Sequence, residues 1–365
     1  MSQPLCAYFG KCGGCSSQHI DYPIQLENKK KVLVNSINFS NINIFHGNEY
    51  FYRNKMEMIF HQNSIGLRKK DEPNKIIDIE KCVISNERIN ELIKEIRDFF
   101  KEVDYFDAKR KTGAFMQAVI RAPTNNSAIS FVLNEESSKL RETVEKIEAF
   151  AAISSANTII VSYVNPQTEI PTEYFVVKGN EMLKEKYLGK EFVFHAQGFF
   201  QNNHEVAERM HQYCNELLKL YNTKEAHLLD LYGGVGTFGL TNAELFKGVT
   251  IIENAKESIE AANINMQNNN IKNAKATVLD TKHLKKVQLP QPLFVITDPP
   301  RSGMDLKTIE QLNALKPKAI IYISCNIQQL AKDIPKFKGY KIKSAALFDL
   351  FPQTPHIEAI VELIL

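Results

Sequence analysis

No apolar run in this chain is long enough to cross a bilayer, and the N-terminus lacks the basic-then-apolar pattern of an export signal. Those two absences argue against a membrane protein and lead us to expect a cytoplasmic one. Net charge is scant as well: 45 Lys and Arg against 42 Asp and Glu leave +3, so composition alone does not announce a nucleic-acid binder. No internal repeat or low-complexity segment stands out. Cysteine is sparse, at six, and in a reducing compartment such a set argues against a disulfide framework. Four of the six therefore need another explanation.

What is present suits a globular protein. Over 365 residues, 44% are apolar and 24% charged, enough for real cores and a soluble surface. The length fits two domains, which the pattern change near Gly189 places at residues 1–190 and 191–365. Basic residues cluster at Lys29–Lys31, Arg68–Lys70 and Lys109–Lys111, all in the first third. Each cluster alone reads as solvated surface; together they suit a face turned towards RNA.

The N-terminal cysteines fall as Cys6-x5-Cys12-Gly-Gly-Cys15, with Cys82 far downstream. Four thiolates make a closed tetrahedral set, fit for a structural zinc or an iron–sulfur cluster. A radical S-adenosylmethionine enzyme would use Cys-x3-Cys-x2-Cys and leave one iron open. The five-residue first gap and the fourth cysteine disfavour that reading. Beyond them, Asp21 is a candidate cap for a helix over 25–37, and Asn86 precedes an amphipathic helix carrying Ile89, Leu92, Ile93, Ile96, Phe99 and Phe100 on one face. Strands are expected over 51–60, 64–68, 115–122, 128–133, 158–164 and 174–178, with a helix near 139–150. This is an α+β module.

After residue 190 strands and helices alternate, with strands expected at 228–232, 249–253, 276–279, 294–297 and 319–324. Two further β-rich segments, 343–350 and 357–365, close the chain. The pattern predicts a doubly wound α/β sheet, whose ligands bind at the carboxyl ends of the strands. Gly233, Gly234 and Gly236 follow the first strand and let a ligand approach the backbone. Such a turn is weak evidence by itself, since NAD enzymes have one too. Two features favour S-adenosylmethionine: the glycines are not expected to form the G-x-G-x-x-G spacing, and Asp230 stands ahead of them. Glu253 ends the second strand, where a carboxylate can accept ribose hydroxyls, although capping the next helix is its bland alternative. Asp280 follows the third strand, at a position that commonly meets adenine, and Asp298 ends the fourth. Cys325 lies just past the fifth, in Ser-Cys-Asn, where a lone cysteine is more often a small core residue. Cys214 sits within an amphipathic helix and reads as structural.

Several phrases carry a resemblance: the segment around Cys6–Cys15, Gln197-Gly-Phe-Phe-Gln201, Asp298-Pro-Pro-Arg301, Ser324-Cys-Asn326 and Phe351-Pro-Gln-Thr-Pro-His-Ile-Glu358. In this order, over nearly the whole chain, they resemble the RNA (uracil-5-)-methyltransferases. The resemblance implies a C-terminal Rossmann-like class I methyltransferase sheet and an N-terminal α+β iron–sulfur and RNA-binding domain. It implies Cys325 as nucleophile, Glu358 as base, and a [4Fe–4S] cluster on Cys6, Cys12, Cys15 and Cys82. S-adenosylmethionine would meet Gln201, Tyr232, Glu253, Asp280 and Asp298. With the cluster motif starting at residue 6, we expect the small N-terminal TRAM barrel of many members to be absent. The chain thus resembles the shorter ribosomal branch, and 23S rRNA is expected ahead of the tRNA T-loop, with no obligate protein partner. Two departures are Gly233, where relatives often have Cys, and Ile327, where they often have Pro. An amino-methyltransferase would want an aromatic residue at Arg301 and has no use for Cys325. A non-catalytic RNA-binding protein would need neither Cys325 nor Glu358.

Overall fold

A computed structural model of the chain describes residues 2–62 and 64–365. The chain divides into two compact units, Met1–Asp21 with Asn48–Lys184, and Tyr22–Gly47 with Glu185–Leu365. Residues 22–47, which a boundary at 190 assigns to the first domain, lie in the second unit.

The first unit is built on seven strands in the order Glu72–Asp78, Ser64–Lys69, Lys55–His61, Phe115–Arg121, Ala128–Asn134, Thr158–Val164 and Pro171–Lys178. Neighbours run antiparallel except Ala128–Asn134 and Thr158–Val164, whose parallel pairing needs the intervening helix Leu140–Ile153. The expected strand over 51–60 starts only at Lys55, because Phe51 and Arg53 donate their amides to the Val83 and Ile84 carbonyls instead of to the sheet. Asn86 caps the helix Glu87–Phe99 by accepting the Ile89 amide at 2.9 Å. Its Ile89, Leu92, Ile93 and Ile96 are buried, in a core with Phe60, Phe100, Phe115, Phe131 and Phe150.

The second unit holds an eight-stranded sheet ordered Ile42–Phe45, Lys341–Phe348, Glu358–Ile364, Ala319–Ser324, Leu293–Thr297, His227–Leu231, Gly248–Glu253 and Ala274–Val278. Every neighbouring pair is parallel except the two made by Glu358–Ile364, which is inserted antiparallel. The central strands His227–Leu231, Leu293–Thr297 and Ala319–Ser324 are buried at every residue, as expected where helices cover both faces. The strand Ile42–Phe45 was not foreseen. It is too short to show a period, and it extends the sheet beside Lys341–Phe348. Among the described residues no helix is long and apolar enough to span a membrane.

Candidate active site

Strand register alone brings the chemistry-bearing residues of the second unit to one edge. Leu231 pairs with Ile252 and with Thr297, and Thr297 pairs with Tyr322. Tyr232, Glu253, Asp298 and Cys325 therefore leave the sheet at its carboxyl end. The antiparallel strand enters there: Ser324 pairs with Ala359, so Cys325 follows on one side where Glu358 precedes on the other. An alternating pattern cannot by itself say that the last strand is the one wedged beside Ala319–Ser324.

The electrostatics confirm the proximity. Burial pushes the Cys325 thiol up to about 11, and the Glu358 and Asp298 carboxylates push the same way. Against them, the Arg301 side chain hydrogen-bonds the sulfur and favours the thiolate. Glu358 is buried, and its carboxyl is held well above the usual carboxylate range by burial and then by Asp298, with Arg301 opposing. Asp298 is raised too, by burial. Two acids and one thiol, each held up by burial, thus lie within electrostatic reach of one exposed guanidinium, the kind of perturbed cluster that marks a functional site.

The local framework is specific. Asn326 caps the helix Ile327–Asp333, accepting from the Gln329 amide at 3.2 Å, and its amide donates to the Arg301 carbonyl at 2.8 Å. The helix begins normally with Ile327 at its first position, so the missing proline costs it nothing. Buried Asp333 accepts from Tyr322 Oη at 2.8 Å and from the Met304 amide at 3.1 Å. It ties the turn after Asp298-Pro-Pro-Arg301 to strand and helix. Gly303 belongs to that turn: its φ is 81°, and a Cβ there would stand 2.4 Å from Asp333 Oδ2. No sequence pattern pointed to Asp333.

On the glycine side, Asp230 is buried and raised to about 7 by burial, while the Gly239 amide donates to it at 2.7 Å. Glu253 does two jobs. One carboxylate oxygen accepts from the Asn254 and Ala255 amides at 2.8 and 3.0 Å, the expected capping role, and the other accepts from Gly234 at 3.1 Å. Gly234 and Gly236 have φ of 52° and 87°, conformations that favour glycine. Contrary to expectation, these two stand with Gly239 at G-x-G-x-x-G spacing, so the loop alone does not separate a dinucleotide from S-adenosylmethionine. At Gly233 a Cβ would lie 2.6 Å from Ile251 Cγ2, so this chain fills with Ile251 the space a cysteine would need. Tyr232, at φ 57°, accepts from Thr281 Oγ1 at 2.9 Å. Asp280 accepts from the Lys282 amide at 3.0 Å and pairs with its ammonium at 2.7 Å. Gln201 lies in the segment just before the helix His204–Lys219. Cys214 is wholly buried within that helix.

Lys29 departs from its surface reading. It is buried and bonds Asp349 at 2.5 Å, whereas Arg68, Lys70, Lys109 and Arg110 are exposed as expected. The signal was the spacing Tyr22, Gln25, Lys29, which puts three polar groups on one helical face.

In the first unit Cys6, Cys12, Cys15 and Cys82 line one cavity of about 390 Å³, together with Arg53, Arg68 and Lys81. Burial raises the thiols of Cys6 and Cys12 and carries Cys15 to about 12; in all three, charge on Cys82 adds to the rise. Gly13 donates its amide to the Arg68 carbonyl at 3.0 Å, holding the loop against the strand. Among the described residues no group of three or more His, Cys, Asp or Glu is arranged to hold a metal ion. That runs against the expected metal ligation by these four cysteines, which share the cavity lining alone.

A sequence profile of the tRNA (Uracil-5-)-methyltransferase family matches residues 21–364. The tRNA (uracil(54)-C(5))-methyltransferase of Pyrococcus abyssi is 28% identical over 99% of this chain and 86% of its own length. Its Pyrococcus horikoshii counterpart is 30% identical over 98% and 85%. The crystal structure of the Pyrococcus abyssi enzyme, in complex with S-adenosyl-L-homocysteine, superposes with a TM-score of 0.80 at 26% identity, covering 97% of this chain and 86% of that one. The fold, the shared edge of the sheet and these likenesses agree: the chain belongs to the tRNA (uracil-5-)-methyltransferase family, S-adenosylmethionine-dependent enzymes that methylate C5 of uracil in RNA.

Proposed function

We propose that Cys325 is the nucleophile and Glu358 the base of this uracil-C5 methylation. C5 of uracil is too poor a nucleophile to attack a sulfonium methyl unaided. Addition of the Cys325 thiolate to C6 makes C5 enolate-like, and C5 then takes the methyl while the sulfonium C–S bond breaks. Glu358 removes the C5 proton, and the electron pair expels the thiolate, leaving 5-methyluridine and S-adenosylhomocysteine. The observation that carries this reading is the antiparallel register that sets Glu358 opposite Cys325, with Arg301 on the sulfur. Burial makes the Glu358 carboxylate a stronger base once it is ionised, and Arg301 favours that ionised form.

S-adenosylmethionine binds along the same edge, near Gln201, Tyr232, Glu253, Asp280 and Asp298. Glu253 already fixes the glycine loop, and its remaining lone pairs take the ribose hydroxyls. Cys6, Cys12, Cys15 and Cys82 hold a [4Fe–4S] cluster, supported by their shared cavity and by the resemblance of their segment. These four side chains would ligate the cluster as a structural element of an N-terminal RNA-binding domain, apart from methyl transfer. Work on RNA supports a cytoplasmic place. For the RNA we carry two readings, 23S rRNA and the tRNA T-loop. The archaeal relatives named for uridine 54 of tRNA support the T-loop reading.

The test is methyl transfer from radiolabelled S-adenosylmethionine to 23S rRNA and tRNA transcripts, followed by nucleoside analysis. Label in 5-methyluridine, lost in Cys325→Ala, is expected; label retained in that variant would overturn the assignment. Which transcript is labelled decides the substrate.

A further inference from the structure

The loop between Phe348 and Glu358 has little regular structure, contains a positive φ at Gln353 (66°), and ends on the carboxylate just described. One face of the helix Tyr22–Ile37 fastens it at three points. Lys29 Nζ pairs with Asp349 at 2.5 Å and donates to the Phe351 carbonyl at 3.1 Å. Tyr22 Oη donates to the other Asp349 oxygen at 2.7 Å, and Gln25 Nε2 donates to Gln353 Oε1 at 3.0 Å. Gln25, Lys29, Asp349 and Gln353 are all buried. Burying a lysine is costly unless it is paired and hydrogen-bonded, and a packing role alone would be served by an apolar side chain. The expenditure falls on a loop whose far end is Glu358.

We infer that Lys29, with Gln25 and Tyr22, is a positioning residue that holds the 349–357 loop so that Glu358 can reach the C5 proton. The inference rests on the base role of Glu358. Cys325 is carried by a different strand and the helix after it, so the clamp acts on the second half of the reaction and not on the first. Loosening it leaves formation of the covalent protein–RNA adduct near the wild-type rate and slows resolution, on the order of 10²-fold if Glu358 moves by about 1 Å.

Single-turnover reactions on a substrate transcript, sampled on denaturing gels, measure formation and resolution of the adduct separately. In Lys29→Met, resolution is expected to slow, with S-adenosylmethionine affinity unchanged by calorimetry. Lys29→Arg, which keeps the charge, should restore much of the resolution rate. Formation and resolution slowing together, or neither slowing, would overturn the inference. Should Lys29→Met fail to fold, Gln25→Leu, which removes a neutral link and leaves no buried charge, is read in the same way: slower resolution supports the clamp, unchanged resolution overturns it. Glu358→Gln is the control for the reading beneath. If it traps no adduct, the base assignment fails; if it traps adduct while the clamp variants resolve normally, only the clamp fails.

Discussion

In the free protein Cys325 should be a reluctant nucleophile, and its reactivity should reveal why. Its thiol is pushed up to about 11 by burial first, then by Glu358 and Asp298. At pH ~7.5 that leaves roughly one molecule in 3,000 as thiolate, a cost of about 5 kcal/mol at ~1.36 kcal/mol per pH unit. Because the thiolate is the reacting species, alkylation by iodoacetamide should climb ~10-fold per pH unit between about 7 and 9.5 without levelling off. The label is read by mass spectrometry on the peptide containing Cys325, since other cysteines react as well. Arg301→Met removes the hydrogen bond and charge that favour the thiolate, so the reaction at a fixed pH should slow. Asp298→Asn removes an opposing charge and should speed it. A plateau below pH ~8 in the unmodified protein, or faster alkylation in Arg301→Met, would refute this account of the site's electrostatics.

Three further outcomes are expected. Glu253→Gln should weaken S-adenosylmethionine binding by ~1.5–3 kcal/mol, as hydrogen bonds to a charged acceptor are lost; unchanged affinity by calorimetry would return Glu253 to its capping role. Gly303→Ala should lower thermal stability by an amount equivalent to at least ~1–3 kcal/mol, given its φ of 81° and the 2.4 Å approach to Asp333; an unchanged melting temperature would mean that the turn relaxes freely. Protein purified anaerobically should contain iron and sulfide, and Cys82→Ser should lose them together with stability; stoichiometric zinc without sulfide would remove the cluster and keep the four ligands.

Much of the second unit was legible because its parallel strands are buried on both faces, and such strands read as continuous apolar runs bounded by helices. Tyr232, Glu253, Asp298 and Cys325 sit where those runs stop, so their place at one edge followed from strand ends alone. The convergence of Glu358 with Cys325 was less accessible, because it depends on the last strand entering antiparallel between Ala319–Ser324 and Lys341–Phe348. Pairing between strands distant in sequence leaves no local mark. Lys29 was hidden for another reason: within Lys29–Lys31 its neighbours are surface residues, and only the helical phase shared with Tyr22 and Gln25 sets it apart. The strand Ile42–Phe45 and the attachment of residues 22–47 to the second unit were invisible for the same long-range reason. The phrases resembling a known family named the site residues, while register and burial explain how these residues meet.

The central claim is that Cys325 forms and Glu358 releases a covalent bond to the substrate. Glu358→Gln keeps the shape of the side chain and removes the base. Incubated with S-adenosylmethionine and a substrate transcript, that variant should remain joined to methylated RNA, seen as a slower band on a denaturing gel. The band should be absent when Cys325→Ala is added. A Glu358→Gln protein that turns over freely, or a double variant that still cross-links, would contradict the account.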